Sequence, residues 1–181
     1  MLMRKLALTI ASLILSLAAV AQNSAVAKAP SITAAPIAPV SVQRGKSATF
    51  ELDFRVAPGF HINSNQPHDE YLIPTSLKLD APNDIVLGKI TYPQGEDKSF
   101  AFAPDQKINV YANDVAITGM VRAMSTAPYG TSRVRGTLTY QACDNAACYP
   151  PKRLPVQFDV KVVRPPRAPR HNPAQSPHVH R

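Results

Sequence analysis

Between Ala48 and Val56 the chain alternates without a break: Ala48, Phe50, Leu52, Phe54 and Val56 are apolar, and Thr49, Glu51, Asp53 and Arg55 stand between them. A period of two puts every apolar side chain on one face of an extended strand, whereas a helix would scatter them around its circumference. The segment is therefore a β-strand with one buried face, and a second layer has to cover that face. Arg44-Gly45-Lys46 turns the chain into it from a short strand over residues 40–43, and Pro58-Gly59 turns it out toward Phe60-His61-Ile62. Further strands are predicted over residues 75–79, 85–92, 107–111, 115–123, 133–142 and 156–163. Turn signals near every ten residues, 18 prolines and no 3.6-residue period indicate an all-β sandwich. No internal repeat is visible.

The ends of the chain read differently. Residues 1–5 carry two positive charges, residues 6–18 are apolar, and Ala19-Val20-Ala21 offers small residues at cleavage positions. This predicts a secretory signal peptide over residues 1–21, because a transmembrane helix needs about 20 apolar residues. No cysteine stands at the cleavage site to carry a lipid; an uncleaved anchor is the alternative. Residues 22–39 are rich in Ala, Ser and Pro and are expected to form a flexible leader. Residues 164–181 are rich in Pro, Arg and His and cannot build a core, so they read as a disordered basic tail. One domain remains, over residues 40–163, long enough to bury a core without help from disulfides.

The net charge of +8 belongs mostly to those ends. From Ala29 to Val163 there are 13 Lys and Arg against 12 Asp and Glu, a net of +1. The domain itself is near neutral, so nucleic acid is not an expected partner; only the tail could touch phosphates, without selectivity.

The only two cysteines lie in Tyr140-Gln141-Ala142-Cys143-Asp144-Asn145-Ala146-Ala147-Cys148-Tyr149-Pro150-Pro151. A bridge between them would close so small a ring that loop entropy gives it only about 2 kcal/mol. A labile, working disulfide accounts for such a weak staple, and a structural bridge in an exported domain is the other reading. The β-branched run from Arg133 to Tyr140 delivers Cys143 at the end of a strand, and Pro150-Pro151 makes a stiff turn after Cys148. Both sulfurs are thus expected at a hairpin-like mouth.

The pattern of Tyr140-Gln141 before the first cysteine and Cys148-Tyr149-Pro150-Pro151 at the second resembles the periplasmic N-terminal domain of the thiol:disulfide interchange protein DsbD. Pro58-Gly59-Phe60-His61-Ile62-Asn63-Ser64-Asn65 and Tyr71-Leu72-Ile73-Pro74-Thr75 are also similar to stretches of that group. The resemblance implies an immunoglobulin-like β-sandwich with a redox-active cysteine hairpin at one end and no cofactor. It implies that Cys148 forms the intermolecular bond and Cys143 resolves it, and that an aromatic lid caps the sulfurs. By order along the chain the lid falls between Tyr92 and Tyr111, with Phe100 or Phe102 as the capping ring and Glu96 and Asp97 as neighbouring acids. Tyr149 and Tyr140 are expected to pack on the sulfurs or contact a partner, with a core position equally open to Tyr140. The best-known members have five residues between the cysteines, and this chain has four. The expected partners are thioredoxin-like periplasmic oxidoreductases and a membrane electron donor on a separate chain, since 18 residues after Val163 are too few for either further domain of DsbD.

The residues exclude several other chemistries. The cross-sheet immunoglobulin disulfide needs cysteines far apart in sequence, and seven scattered glycines make no phosphate-binding loop. Asp144 would raise a neighbouring thiol's pKa while Lys152 and Arg153 would lower it, leaving the net sign open. Two classes stay open beside thiol exchange. One is an immunoglobulin-like binding or adhesion module. The other is a copper carrier using the cysteines with His171, His178 and His180 of the tail, although C-x₄-C lacks the knuckle spacing of a zinc site. His61 and His68 read as surface or capping residues of a loop.

Overall fold

The structure, a computed structural model, describes residues 31–166. The predicted signal peptide, the first half of the leader and the tail histidines lie outside the described residues. Twelve strands follow one another: β1 (Ile32–Ala34), β2 (Val40–Gln43), β3 (Ser47–Val56), β4 (His61–Asn63), β5 (Ser76–Asp80), β6 (Ile85–Thr91), β7 (Glu96–Phe100), β8 (Ala103–Tyr111), β9 (Asp114–Ala123), β10 (Gly130–Tyr140), β11 (Ala142–Cys143) and β12 (Lys152–Val163). Among the described residues there is no helix.

Two four-stranded sheets, in the orders β1-β3-β9-β6 and β2-β12-β10-β5, form an immunoglobulin-like sandwich, and a third, β11-β4-β8-β7, lies at one end. The alternation from Ala48 to Val56 does what its period demands: Phe50, Leu52, Phe54 and Val56 are buried, and the residues between them are not. Partner strand β9 has the same period, burying Val115, Ile117, Val121 and Ala123. Phe50 meets Phe158 of β12 across the core at 4.8 Å between ring centres, so the two layers interlock through large apolar side chains.

Three features depart from expectation. Ile32–Ala34, inside the stretch read as a flexible leader, pairs antiparallel with β3 as an edge strand. The ordered domain therefore begins before residue 40; buried Ile32 in the main core holds the strand there. The last strand starts at Lys152, directly after Pro151, rather than at Val156. Pro155 is tolerated within it because β2 pairs β12 only from Val160 onward, leaving the proline on an open edge where no N–H is needed. The stretch expected to be a capping loop is a β-hairpin, β7–β8.

β4 positions the site. Its three residues are all buried, because it lies between β11 and β8 and is covered on both faces. Ile62 joins the main core, while His61 and Asn63 project to the opposite face, as the period of two requires. On that side Phe100, Ile108 and Val110 form a separate small apolar cluster, with Leu72, Phe102 and Ala103 packed against it.

Candidate functional site

β10 and β12 pair over eleven residues, from Gly130 with Val162 to Tyr140 with Lys152, and residues 141–151 connect them. Cys143 and Cys148 both lie in this connection and are joined as a disulfide, with Cα atoms 4.0 Å apart. Among the described residues no cysteine is free. The hairpin-like mouth expected from the flanking strand and prolines is what the backbone builds.

The two sulfurs differ in surroundings. Cys143 belongs to β11, pairs with His61 of β4 and is 0% exposed. Cys148 is half-buried, and beyond it Ala147, Ala146 and Asn145 are exposed. The loop between them is held by its own polar groups. The amide of Asp144 donates to the Ala147 carbonyl at 2.9 Å and that of Tyr149 to the Ala142 carbonyl at 2.9 Å. Asp144 Oδ1 accepts from the amides of Ala146 at 2.8 Å and Ala147 at 2.9 Å, and Oδ2 accepts from the Tyr149 hydroxyl at 2.7 Å. These bonds, the Tyr149 hydroxyl first, hold the Asp144 carboxyl below its ordinary range, and the same pairing raises Tyr149.

Gln141 ties the connection to its surroundings. Its Oε1 accepts from Asn63 Nδ2 at 2.9 Å and from the Ile73 amide at 3.1 Å, and its Nε2 donates to the Tyr149 carbonyl at 3.2 Å. Asn63, 0% exposed, also donates to the Ile73 carbonyl at 3.0 Å. Asn63 of β4 and Gln141, between β10 and β11, thus fix the cysteine loop to the 66–74 loop. Each such bond contributes about 1 kcal/mol net, and leaving one partner unpaired costs more.

The aromatic residues expected to form the lid are brought together. Phe100 ends β7, Ala101 and Phe102 make the turn, and Ala103 pairs back with Phe100. The rings of Phe100 and Phe102 stack at 5.3 Å and 6°. Phe100, 8% exposed, also stacks on the His61 imidazole at 4.1 Å and 13°. The hairpin therefore reaches the cysteine ladder through His61. Tyr149 lies at the mouth, its ring edge-on to Phe60 at 5.9 Å. Glu96 pairs with Lys98 at 2.8 Å, and Asp97 accepts from Asn109 Nδ2 at 2.6 Å at the hairpin's base.

One open reading is decided and one expectation is corrected. Tyr140 is 4% exposed and part of the main core, the core position that the sequence left open to it; burial raises its phenol pKa against a backbone hydrogen bond from Ile32. His61 is no surface residue: pairing with β11 and stacking under Phe100 leave it 6% exposed, and burial, with Lys98 adding to it and Asp144 opposing, pushes its pKa down to about 4. The signal lay in Phe60-His61-Ile62, an apolar run directly after a Pro-Gly turn. His68, by contrast, is exposed, with Nδ1 3.7 Å from Asp97. Among the described residues no group of three or more His, Cys, Asp or Glu could hold a metal ion, and no helix is long and apolar enough to cross a membrane.

No curated protein matches the sequence. Among solved structures, the chain is similar to the DsbD N-terminal domain of Neisseria meningitidis in its reduced form, at 25% identity and a TM-score of 0.39, over 61% of this chain and 74% of that one. It is similar to the N-terminal periplasmic domain of ScsB from Proteus mirabilis at 15% identity and a TM-score of 0.46, over 71% of this chain and 44% of that one. It is also similar to a type I cohesin of ScaB from Pseudobacteroides cellulosolvens at 14% identity and a TM-score of 0.45, over 75% of this chain and 94% of that one. The family model described as thiol:disulfide interchange protein DsbD, N-terminal, matches residues 28–159, which take in the whole sandwich up to β12 and the loop that joins its two cysteines; the chain belongs to that family of thiol:disulfide exchange modules.

Proposed function

We propose that this protein is an exported exchange module that carries reducing equivalents from a membrane donor on a separate chain to periplasmic disulfide proteins, through Cys143 and Cys148. The observation that carries the reading is the asymmetry of the bond. It joins a wholly buried sulfur to a half-buried one, inside a connection whose flanking strands are already held by eleven paired residues. A five-residue separation adds only about 2 kcal/mol of loop constraint, so the bond does little as a staple.

The chemistry follows from which sulfur can be reached. A thiolate of a reduced donor attacks Cys148 Sγ; a bond to the donor forms, the Cys143–Cys148 bond breaks, and the electron pair leaves on Cys143. The donor's second thiolate then attacks its own sulfur in the mixed disulfide and releases Cys148 as a thiolate. The pair has gained two electrons and the donor has become a disulfide. Delivery runs the same steps outward: Cys148 attacks a target disulfide, and Cys143 resolves the mixed disulfide from behind. Phe100 and Phe102 serve as the cap, excluding stray thiols until a partner displaces the hairpin, and Tyr149 and Phe60 frame the opening. Thioredoxin-like periplasmic oxidoreductases, including those that keep cytochrome-maturation thiols reduced, are the recipients this reading expects. A cleavable signal over residues 1–21 delivers the chain to the periplasm.

The test is to express the chain as Cys143→Ala and recover proteins held covalently by Cys148 from a periplasmic extract. Reductant-sensitive adducts support exchange and name the partner. Their absence, with a normally folded chain carrying both Cys143→Ala and Cys148→Ala, leaves an immunoglobulin-like binding module whose bridge is structural.

A further inference from the structure

We infer that His61 is a positioning residue for the exchange reaction: its Nε2–H donates a hydrogen bond to the Cys143 sulfur whenever the disulfide is open, holding that sulfur as a buried thiolate. The inference rests on the exchange reading above and adds to it the group that receives the leaving sulfur.

Three observations meet at this side chain. His61 is the direct register partner of Cys143 in the β4–β11 pair. Opposed residues of an antiparallel pair project to the same face with Cβ atoms about 5 Å apart, which brings the imidazole within reach of the sulfur. Second, Nε2 of His61 is buried without a hydrogen-bond partner. Among the described residues only Asn63 Oδ1, on the same strand and face, shares that condition. An orphaned buried nitrogen is destabilising and calls for a partner formed in another state of the molecule. Third, the ring is not free to turn away, because Phe100 stacks on it at 4.1 Å.

The disulfide form gives Nε2 only a sulfur without charge. Reduction changes that. When a thiolate attacks Cys148, the Cys143–Cys148 bond breaks and its electron pair stays on Cys143, whose sulfur is 0% exposed and has no water to solvate it. A buried thiolate without a donor is a poor leaving group. The imidazole next to it supplies one N–H, and no proton has to move for the bond to break. The charged groups acting on His61 are Lys98 of β7 and Asp144 of the cysteine loop. They act in opposite directions, and with the disulfide closed the ring is neutral at pH 7 and carries a single N–H to donate.

The experiment uses the full chain with Cys148→Ala, which leaves Cys143 as a lone thiol, followed by ultraviolet thiolate absorbance and by NMR of the His61 ring. The His61 resonances are expected to inflect at the pH where Cys143 ionises. In the double variant with His61→Phe, which keeps a ring stacked under Phe100, the Cys143 thiolate fraction at pH 7 is expected to fall about tenfold. A His61 ring blind to Cys143 ionisation overturns the inference, whether or not the double variant folds; so does an unchanged Cys143 titration in a folded double variant. No partner enters this titration, so it stands or fails separately from the exchange reading, which equilibration of the unaltered chain with glutathione tests.

Discussion

Replacing Phe100 by Ala separates the cap from the rest of the molecule. The Phe100 ring is 8% exposed and lies between the His61 imidazole at 4.1 Å and the Phe102 ring at 5.3 Å. Losing a buried phenyl ring removes about 2 kcal/mol of burial, and the two stacked contacts add roughly 1 kcal/mol more. Because Phe100 belongs to the small cluster with Ile108 and Val110, and not to the main core, this loss of about 3 kcal/mol falls on the docking of the hairpin and spares the sandwich. At 1.4 kcal/mol per decade, the fraction of molecules with the cap open rises by about a hundredfold. The assay is the pseudo-first-order rate at which low concentrations of dithiothreitol reduce the disulfide, followed by alkylation of the freed thiols. If the hairpin gates the sulfurs, the Phe100→Ala rate rises by about two orders of magnitude while the thermal midpoint moves little. A folded Phe100→Ala chain that reduces no faster than the parent would refute the gate.

Other consequences are open to direct measurement. Burial pushes His61 down to about 4 from 6.5, so the unfolded chain binds a proton that the folded chain refuses. Stability is therefore complete above the unfolded value and falls by about 3 kcal/mol as the pH drops from 6.5 toward 4, a loss that urea titrations of the parent should show and His61→Phe should lack. Asp144→Ala removes the acceptor for the Ala146 and Ala147 amides and the Tyr149 hydroxyl; hydrogen exchange at those two amides should speed at least about tenfold, with the β10–β12 ladder unaffected. Gly119→Ala would place a methyl group 2.5 Å from Phe50 Cζ and 3.1 Å from Ile90 Cδ1, and should lower stability by about 1–3 kcal/mol in the same titrations.

How far the sequence reveals this molecule depends on how much each element owes to its own residues. β3 and β9 alternate because each has one face on a large core, and that pattern is visible one residue at a time. β7 is not visible. Glu96-Asp97-Lys98-Ser99 shows no apolar face, since β7 itself buries only Phe100 at its end, and its strand character comes from pairing with β8 across a bulge. β1 is hidden for the opposite reason: Ile32-Thr33-Ala34 sits among small residues and prolines and is a strand only because β3 offers it an edge. The cysteine pair and its two proline-flanked strands were plain from spacing and turn chemistry. The burial of His61 is only half legible: its apolar neighbours Phe60 and Ile62 hint at it, but the strand that covers it, β11, lies about eighty residues later. Tyr140 could be read two ways for the same reason, and packing against the sandwich core decided it.

The equilibrium constant of the Cys143–Cys148 pair against glutathione tests the central claim most directly, and it needs no partner and no variant. A bond that opens and closes in service should equilibrate with the glutathione couple, at a reduction potential near roughly −200 mV or above. A potential far below about −300 mV, with the bond untouched by any mild dithiol, would make it a structural rivet and would contradict the account.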